Sequence, residues 1–237
     1  MLHVRPSSRR AAAVALGAAG ILVFGWLLES VAGDWGLADL DWPILDWLAS
    51  HRSGSLTAVA VALRTGSGPL IALGIAAVAG LAWGVSRREL MRPLLLVGAV
   101  LADVLLVAGV RLWVDRARPP VWFEAMGSSG MPAFPAGHAS AVLTLLFAGL
   151  YLAHSRRSAS RGTGPAALAA ALVGLAVGAC DLYLGMHWFT DVLASWAISA
   201  LVLATVVWID SLRLPEPGES ARAVDTEVAR SRSSAET

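Results

Sequence analysis

Six long apolar runs decide what this chain can fold into. They cover residues 11–28, 69–86, 88–113, 136–154, 164–184 and 187–209. A bilayer core is roughly 30 Å thick, and about 20 residues of helix cross it. Inside it every backbone N–H and C=O must find a partner within the protein, and an uninterrupted apolar run meets that demand as a helix. With 57% hydrophobic and 15% charged residues, the 237-residue chain has room for one membrane bundle and no separate soluble domain. The expected fold is all-α, a bundle of six transmembrane helices. Ser30-Val31-Ala32 offers small residues suited to signal-peptide cleavage, but run 11–28 is longer than a usual signal core and reads as a retained span.

The polar stretches divide the rest. Residues 1–10 form a basic N-terminus, 11–210 the membrane domain, and 211–237 a tail without apolar periodicity, expected to be disordered. Between the first two spans, Leu37, Leu40, Ile44, Leu45 and Leu48 recur at helical spacing, with Asp39, Asp41 and Asp46 among them. This predicts an amphipathic interfacial segment along the membrane surface, with Pro43 opening a short helix. A second short helix over 55–64 is closed by Gly66-Ser67-Gly68. Trp26, Trp83, Trp113, Trp188 and Trp208 sit near run ends, as an interfacial belt requires.

Charge orients the bundle. All 18 basic residues are Arg, and 13 of them fall in the N-terminus, in the loops around Arg87, Arg88, Arg92 and around Arg156, Arg157, Arg161, and in the tail. The other five, Arg52, Arg64, Arg111, Arg116 and Arg118, fall on the opposite side. The positive-inside rule puts both termini in the cytoplasm and the second group on the extracytoplasmic face of a cell membrane. A net charge of +1 implies no bulk attraction to nucleic acid. The single Cys180 excludes an internal disulfide and any multi-Cys metal site.

Three clusters on that second side carry chemistry. Arg111-Leu112-Trp113-Val114-Asp115-Arg116-Ala117-Arg118-Pro119 closes span three. Arg111 and Arg118 are two helical turns apart, which predicts one face, and such forks bind phosphate oxygens in pairs. Arg can also snorkel to lipid headgroups. Pro135-Ala136-Gly137-His138 opens span four. Gly137 permits close backbone approach, a helix start attracts anions, and His138 can protonate a leaving oxygen; an ordinary Pro-started helix is the plainer alternative. Cys180-Asp181-Leu182-Tyr183-Leu184-Gly185-Met186-His187-Trp188-Phe189-Thr190-Asp191 joins spans five and six. His187 and Asp191 are four apart, so on a helix the carboxylate can fix the imidazole tautomer; both can equally be cap residues. Together the clusters suit phosphoryl transfer. A metal on His138, His187 and Asp191 is disfavoured because the adjacent arginines call for an anion. Asp103, inside span three, reads as a structural partner of an Arg or a Ser/Thr.

These clusters resemble the three motifs of the type 2 phosphatidic acid phosphatase (PAP2) superfamily, which also contains vanadium haloperoxidases. The family pattern is Lys-x6-Arg-Pro, Pro-Ser-Gly-His and Ser-Arg-x5-His-x3-Asp; the likeness runs from about Pro69 through span six. It implies a PAP2-type six-helix fold, with the motifs borne by residues 69–210, and a phosphatase that needs no metal or other cofactor. His187 would attack phosphorus to give a phosphohistidine, Asp191 would orient it, and His138 would protonate the leaving group. Arg111 and Arg118 would bind phosphate with the Gly137 amide, and Arg116 joins this phosphate-binding group. The implied substrate is a membrane lipid phosphate or pyrophosphate, such as phosphatidic acid, phosphatidylglycerol phosphate or a polyprenyl pyrophosphate.

Three positions depart from the pattern. Arg111 replaces Lys and keeps the charge. Ala136 replaces Ser and removes a hydroxyl donor. Asp181 stands where the family has a phosphate-binding Arg, and pairing with Arg111 or Arg116 is one way for it to be accommodated. Ala136 and Asp181 keep open a member that binds or moves lipid without hydrolysing it. A peroxidase-like use of the pocket with vanadate is a third reading.

Overall fold

The computed structural model describes residues 6–127, 130–155 and 163–212. In chain order they form α1 (Pro6–Gly33), a 3-10 turn (Gly36–Leu40), α2 (Asp41–Ser50), α3 (Gly54–Gly66), α4 (Pro69–Arg87), α5 (Met91–Val114), a second 3-10 turn (Val121–Phe123), α6 (Gly137–His154), α7 (Thr163–Tyr183) and α8 (Phe189–Ser211). Helices α1 and α4–α8 are long and apolar enough to cross a membrane. The chain is an all-helical, multi-pass membrane protein, as the apolar runs predict. The disorder expected of the tail, and the charges of Arg156, Arg157 and Arg161, lie outside the described residues.

Local chemistry sets the helix limits. Pro69 starts α4 behind Gly68, since proline lacks the N–H that a first turn leaves unpaired. Arg88 ends α4 in the left-handed region at φ 50°, so the third span begins at Met91 rather than Arg88. Asp115 ends α5 in the same way at φ 48°.

Helix α8 is the central element, lying against α1, α5 and α6. Val100 of α5, Ala141, Ala148 and Leu152 of α6, and Ile198, Val202 and Val206 of α8 share one buried cluster. Helix α4 lays a buried stripe of Ala72, Ala76, Gly80 and Gly84 toward α5; small residues at i, i+4 let backbones approach where lipid offers no hydrophobic drive to association. Asp103 accepts hydrogen bonds from Ser140 (2.6 Å) and Thr144 (2.9 Å), the structural Ser/Thr partnership expected of it.

At the end opposite the motifs, Arg92 is not a loop charge. It is buried within α5, donates to the Leu152 carbonyl (2.6 Å) and to Ser155 Oγ (2.8 Å), and pairs with Asp210 at 3.2 Å. Arg9 reaches the Ser155 carbonyl from α1 at 2.5 Å. This network ties α1, α5, α6 and α8 together. At the motif end, α2 packs on α7 and α8, and α3 on α7. The segment before α4 is thus helical and amphipathic as expected, but it also covers the end of the bundle and buries Asp41 and Arg64 there.

Candidate active site

The end of α5, the start of α6 and the α7–α8 turn converge beneath α2 and α3. The turn is shaped by Gly185 at φ 70°, where a Cβ would also collide with the Phe123 carbonyl oxygen, so only glycine fits. The Met186 N–H donates to the Asp181 carbonyl (2.9 Å) and the Ala125 N–H to the Leu184 carbonyl (2.9 Å), fixing the turn against the loop before α6. His187 follows with its side chain fully buried. Helix α8 begins at Phe189, so His187 and Asp191 do not share a helix face as their spacing suggested. Asp191 occupies the first turn, where its Oδ2 accepts from the Trp188 N–H at 2.8 Å and lies 3.5 Å from His187 Nδ1. The cap reading and the orienting geometry therefore coexist at one carboxylate.

Arg116, which the sequence groups with Arg111 and Arg118 as a candidate phosphate ligand, is engaged by carboxylates. Its guanidinium contacts Asp191 Oδ1 at 2.5 Å, Asp41 Oδ2 at 2.6 Å and Thr190 Oγ1 at 2.8 Å, and it sits over the Trp188 ring. Two buried carboxylates need a cation, and Arg116 lies between them. Asp41 also accepts from the Thr190 N–H (2.9 Å) and hydroxyl (2.7 Å), which pins α2 to the start of α8. The sequence reading set Asp41 within an amphipathic segment along the membrane surface and missed this role.

Arg111 and Arg118 are not on one helix face either, because α5 ends at Val114. Arg111 donates from Nε to the Pro135 carbonyl at 3.0 Å. Arg118 donates to the Met131 (2.6 Å) and Met186 (2.5 Å) carbonyls, linking the loop before α6 to the His187 turn. A Cβ on Gly137 would lie 3.2 Å from an Arg111 guanidinium nitrogen, so the small residue is what admits that side chain. Ala136 is the N-cap residue of α6 and is fully buried, without any side-chain cap. Its own N–H donates to the Asp191 carbonyl at 3.0 Å, joining the α6 start to that of α8. His138, next along α6, lies within electrostatic reach of Arg64, His187, Arg111 and Arg118.

Asp181 pairs with neither Arg111 nor Arg116. It is fully buried in α7, and its partner is Arg64 of α3, whose guanidinium Nη1 donates to Asp181 Oδ1. An ion pair across two elements far apart in sequence leaves no local pattern. The one signal was topological: Arg64 falls on the same side as the motifs.

The electrostatic consequence centres on His187. Burial first, then Arg118, Arg111 and Arg64, drive its pKa well below the ordinary value, so the imidazole is held neutral. Arg64 is itself lowered to about 10, by burial and by repulsion from Arg118 and Arg111. The assembly is an imidazole whose neutral form is favoured, with a carboxylate 3.5 Å from its Nδ1 and three guanidinium groups within electrostatic reach.

The PAP2 superfamily model matches residues 92–214, and the chain belongs to that superfamily. Its fold is similar to the crystal structure of the first transmembrane PAP2 type phosphatidylglycerolphosphate phosphatase from Bacillus subtilis. The TM-score is 0.73 at 21% identity, over 82% of this chain and 97% of the other. No curated protein matches the sequence.

Proposed function

We propose that the protein is a membrane lipid phosphatase working through a phosphohistidine at the extracytoplasmic face. The observation that carries this is the fully buried His187, with Nδ1 3.5 Å from Asp191 Oδ2 and Arg64, Arg111 and Arg118 within electrostatic reach of it. Nδ1 facing a carboxylate carries the proton, which leaves the Nε2 lone pair to attack phosphorus. The P–O bond to the lipid breaks, and the leaving oxygen takes a proton from His138, which the negative charge of the bound phosphate keeps protonated among the arginines. Water then attacks the phosphohistidine, returns a proton to His138, and releases orthophosphate and free His187. Arg111 and Arg118, with the Gly137 amide, stabilise charge developing on the phosphate oxygens. Arg116 acts at one remove, holding Asp191 and the start of α8. The arginine bias toward the other side supports the outward orientation. Because Asp181 is paired with Arg64, its charge is not an open anion facing phosphate, which weakens the case for a member that binds lipid without hydrolysis.

The structural neighbour's substrate, phosphatidylglycerol phosphate, heads the panel to test, followed by phosphatidic acid and a polyprenyl pyrophosphate. Purified protein in detergent is expected to release orthophosphate from at least one of them, and rapid quenching with labelled substrate to leave acid-labile phosphate on the protein. No release from any of the three would overturn the proposal.

The pH profile follows from the field around His187. It is faced by Arg64 from α3, Arg111 from α5, Arg118 from the following loop, His138 from α6 and Asp191 from α8. A nucleophilic imidazole must be neutral. With its pKa depressed, it stays neutral as pH falls through about 6.5, the ordinary histidine value. The acid limb of kcat/KM is therefore expected below that range. Arg118→Gln removes one of the depressing charges and is expected to move the limb to higher pH; comparing the two proteins on one substrate cancels the substrate's own ionisation. The same depression makes the unfolded chain bind more protons below that pH, so His187 makes the fold less stable as pH drops.

A further inference from the structure

We propose that Arg64 is a third phosphate-binding guanidinium of this site, delivered from α3 and held in place by Asp181. The inference rests on the phosphatase reading for its ligand, but not on turnover. Arg64 lies in the last turn of α3, outside residues 92–214 matched by the family model, and is 7% exposed. A buried arginine at a bundle end could be explained by its carboxylate partner alone, and three observations go beyond that. First, among the described residues Asp181 is its only acceptor, reached through Nη1, so Nε and Nη2 remain for another oxygen ligand. Second, its charge acts directly on His187 and His138, the two histidines assigned to the phosphorus and to the leaving oxygen. Third, Arg64, Arg111 and Arg118 lie close enough to repel one another; Asp181 pairs with Arg64, Asp191 acts on Arg111 and Arg118, and Glu124 acts on Arg118. An oxyanion accepting from the free guanidinium N–H groups is the ligand that such a cluster of forks suits.

The same arrangement accounts for the acid at position 181. A cation placed there would stand in α7, beside the turn. An acid there instead recruits a cation from α3 and directs it to the same histidines. Asp181 is thus a positioning residue, and Arg64 the ligand-binding one. This also gives α3 a part in the site, since it sets where that guanidinium ends.

The test is equilibrium binding of inorganic orthophosphate to purified full-length protein, which needs no catalysis. Arg64→Ala is expected to weaken binding at least tenfold, and Arg64→Lys, which keeps the charge without the fork, by less. Because Arg64→Ala leaves Asp181 buried and bare, the double variant Arg64→Ala/Asp181→Ala is measured beside it; it removes both charges and is expected to fold and still to lose binding at least tenfold. Binding of orthophosphate by the double variant within about threefold of the parent would overturn the proposal, as would a parent that binds none. A parent that binds orthophosphate through Arg64 yet hydrolyses no lipid upholds this inference and defeats the phosphatase reading instead.

Discussion

His187→Ala is expected to abolish phosphate release while leaving the bundle folded. On the proposed mechanism His187 is the nucleophile, and removing a nucleophile that acts in concert with its oxyanion donors lowers kcat on the order of 10⁴-fold or more. The structure explains why folding should survive. Asp191 is held without the imidazole, by the Trp188 N–H at 2.8 Å and by Arg116 at 2.5 Å. The helix cap and the Asp41–Arg116–Asp191 bridge therefore remain when His187 is shortened. Asp191→Ala provides the contrast. It removes a first-turn acceptor, a loss of about 1 kcal/mol, and it also takes one carboxylate from Arg116. Thermal unfolding should separate the two: little change for His187→Ala, a clear fall for Asp191→Ala, with activity lost in both. Phosphate release by His187→Ala within tenfold of the parent would remove His187 from the nucleophile's role.

The second large effect concerns the residue that departs furthest from the family pattern. Asp181→Arg, which writes the family residue back into α7, is expected to destabilise the protein rather than improve it. The new guanidinium would meet Arg64 in a site where Asp181 is fully buried and Arg64 nearly so. Breaking a buried pair by removing one partner costs about 3–5 kcal/mol, and a like charge adds to that. Adding Arg64→Asp is expected to recover most of the loss, because it reverses the pair. Thermal unfolding of parent, single and double variants measures the coupling directly. A single variant as stable as the parent would mean that Asp181 and Arg64 do not depend on each other.

The sites of error share a cause. Span number and type were legible because a twenty-residue apolar run is a local property. The His187–Asp191 pairing was also legible as an association, but not its geometry, because the turn ending at Gly185 delays α8 to Phe189. Arg111 and Arg118 look two turns apart on one helix, yet the left-handed Asp115 ends α5 between them. Arg116 reads as one more phosphate ligand, and its contacts with Asp41 and Asp191 on either side leave no trace in the local sequence. In each case the sequence names the charged group, and a contact from a distant element decides what that group faces.

From composition and spacing alone follow the membrane bundle, the one end of it at which the motifs gather, and the residue types found there. Those rest on the cost of unpaired backbone in lipid and on the chemistry of imidazole, carboxylate and guanidinium groups, which each stretch carries with it. Only the tertiary structure gives Asp181 its partner. Arg64 and Asp181 are 117 positions apart, and burying a carboxylate fixes that it must have a cation, not which one. The packing of α3 against α7 makes that choice.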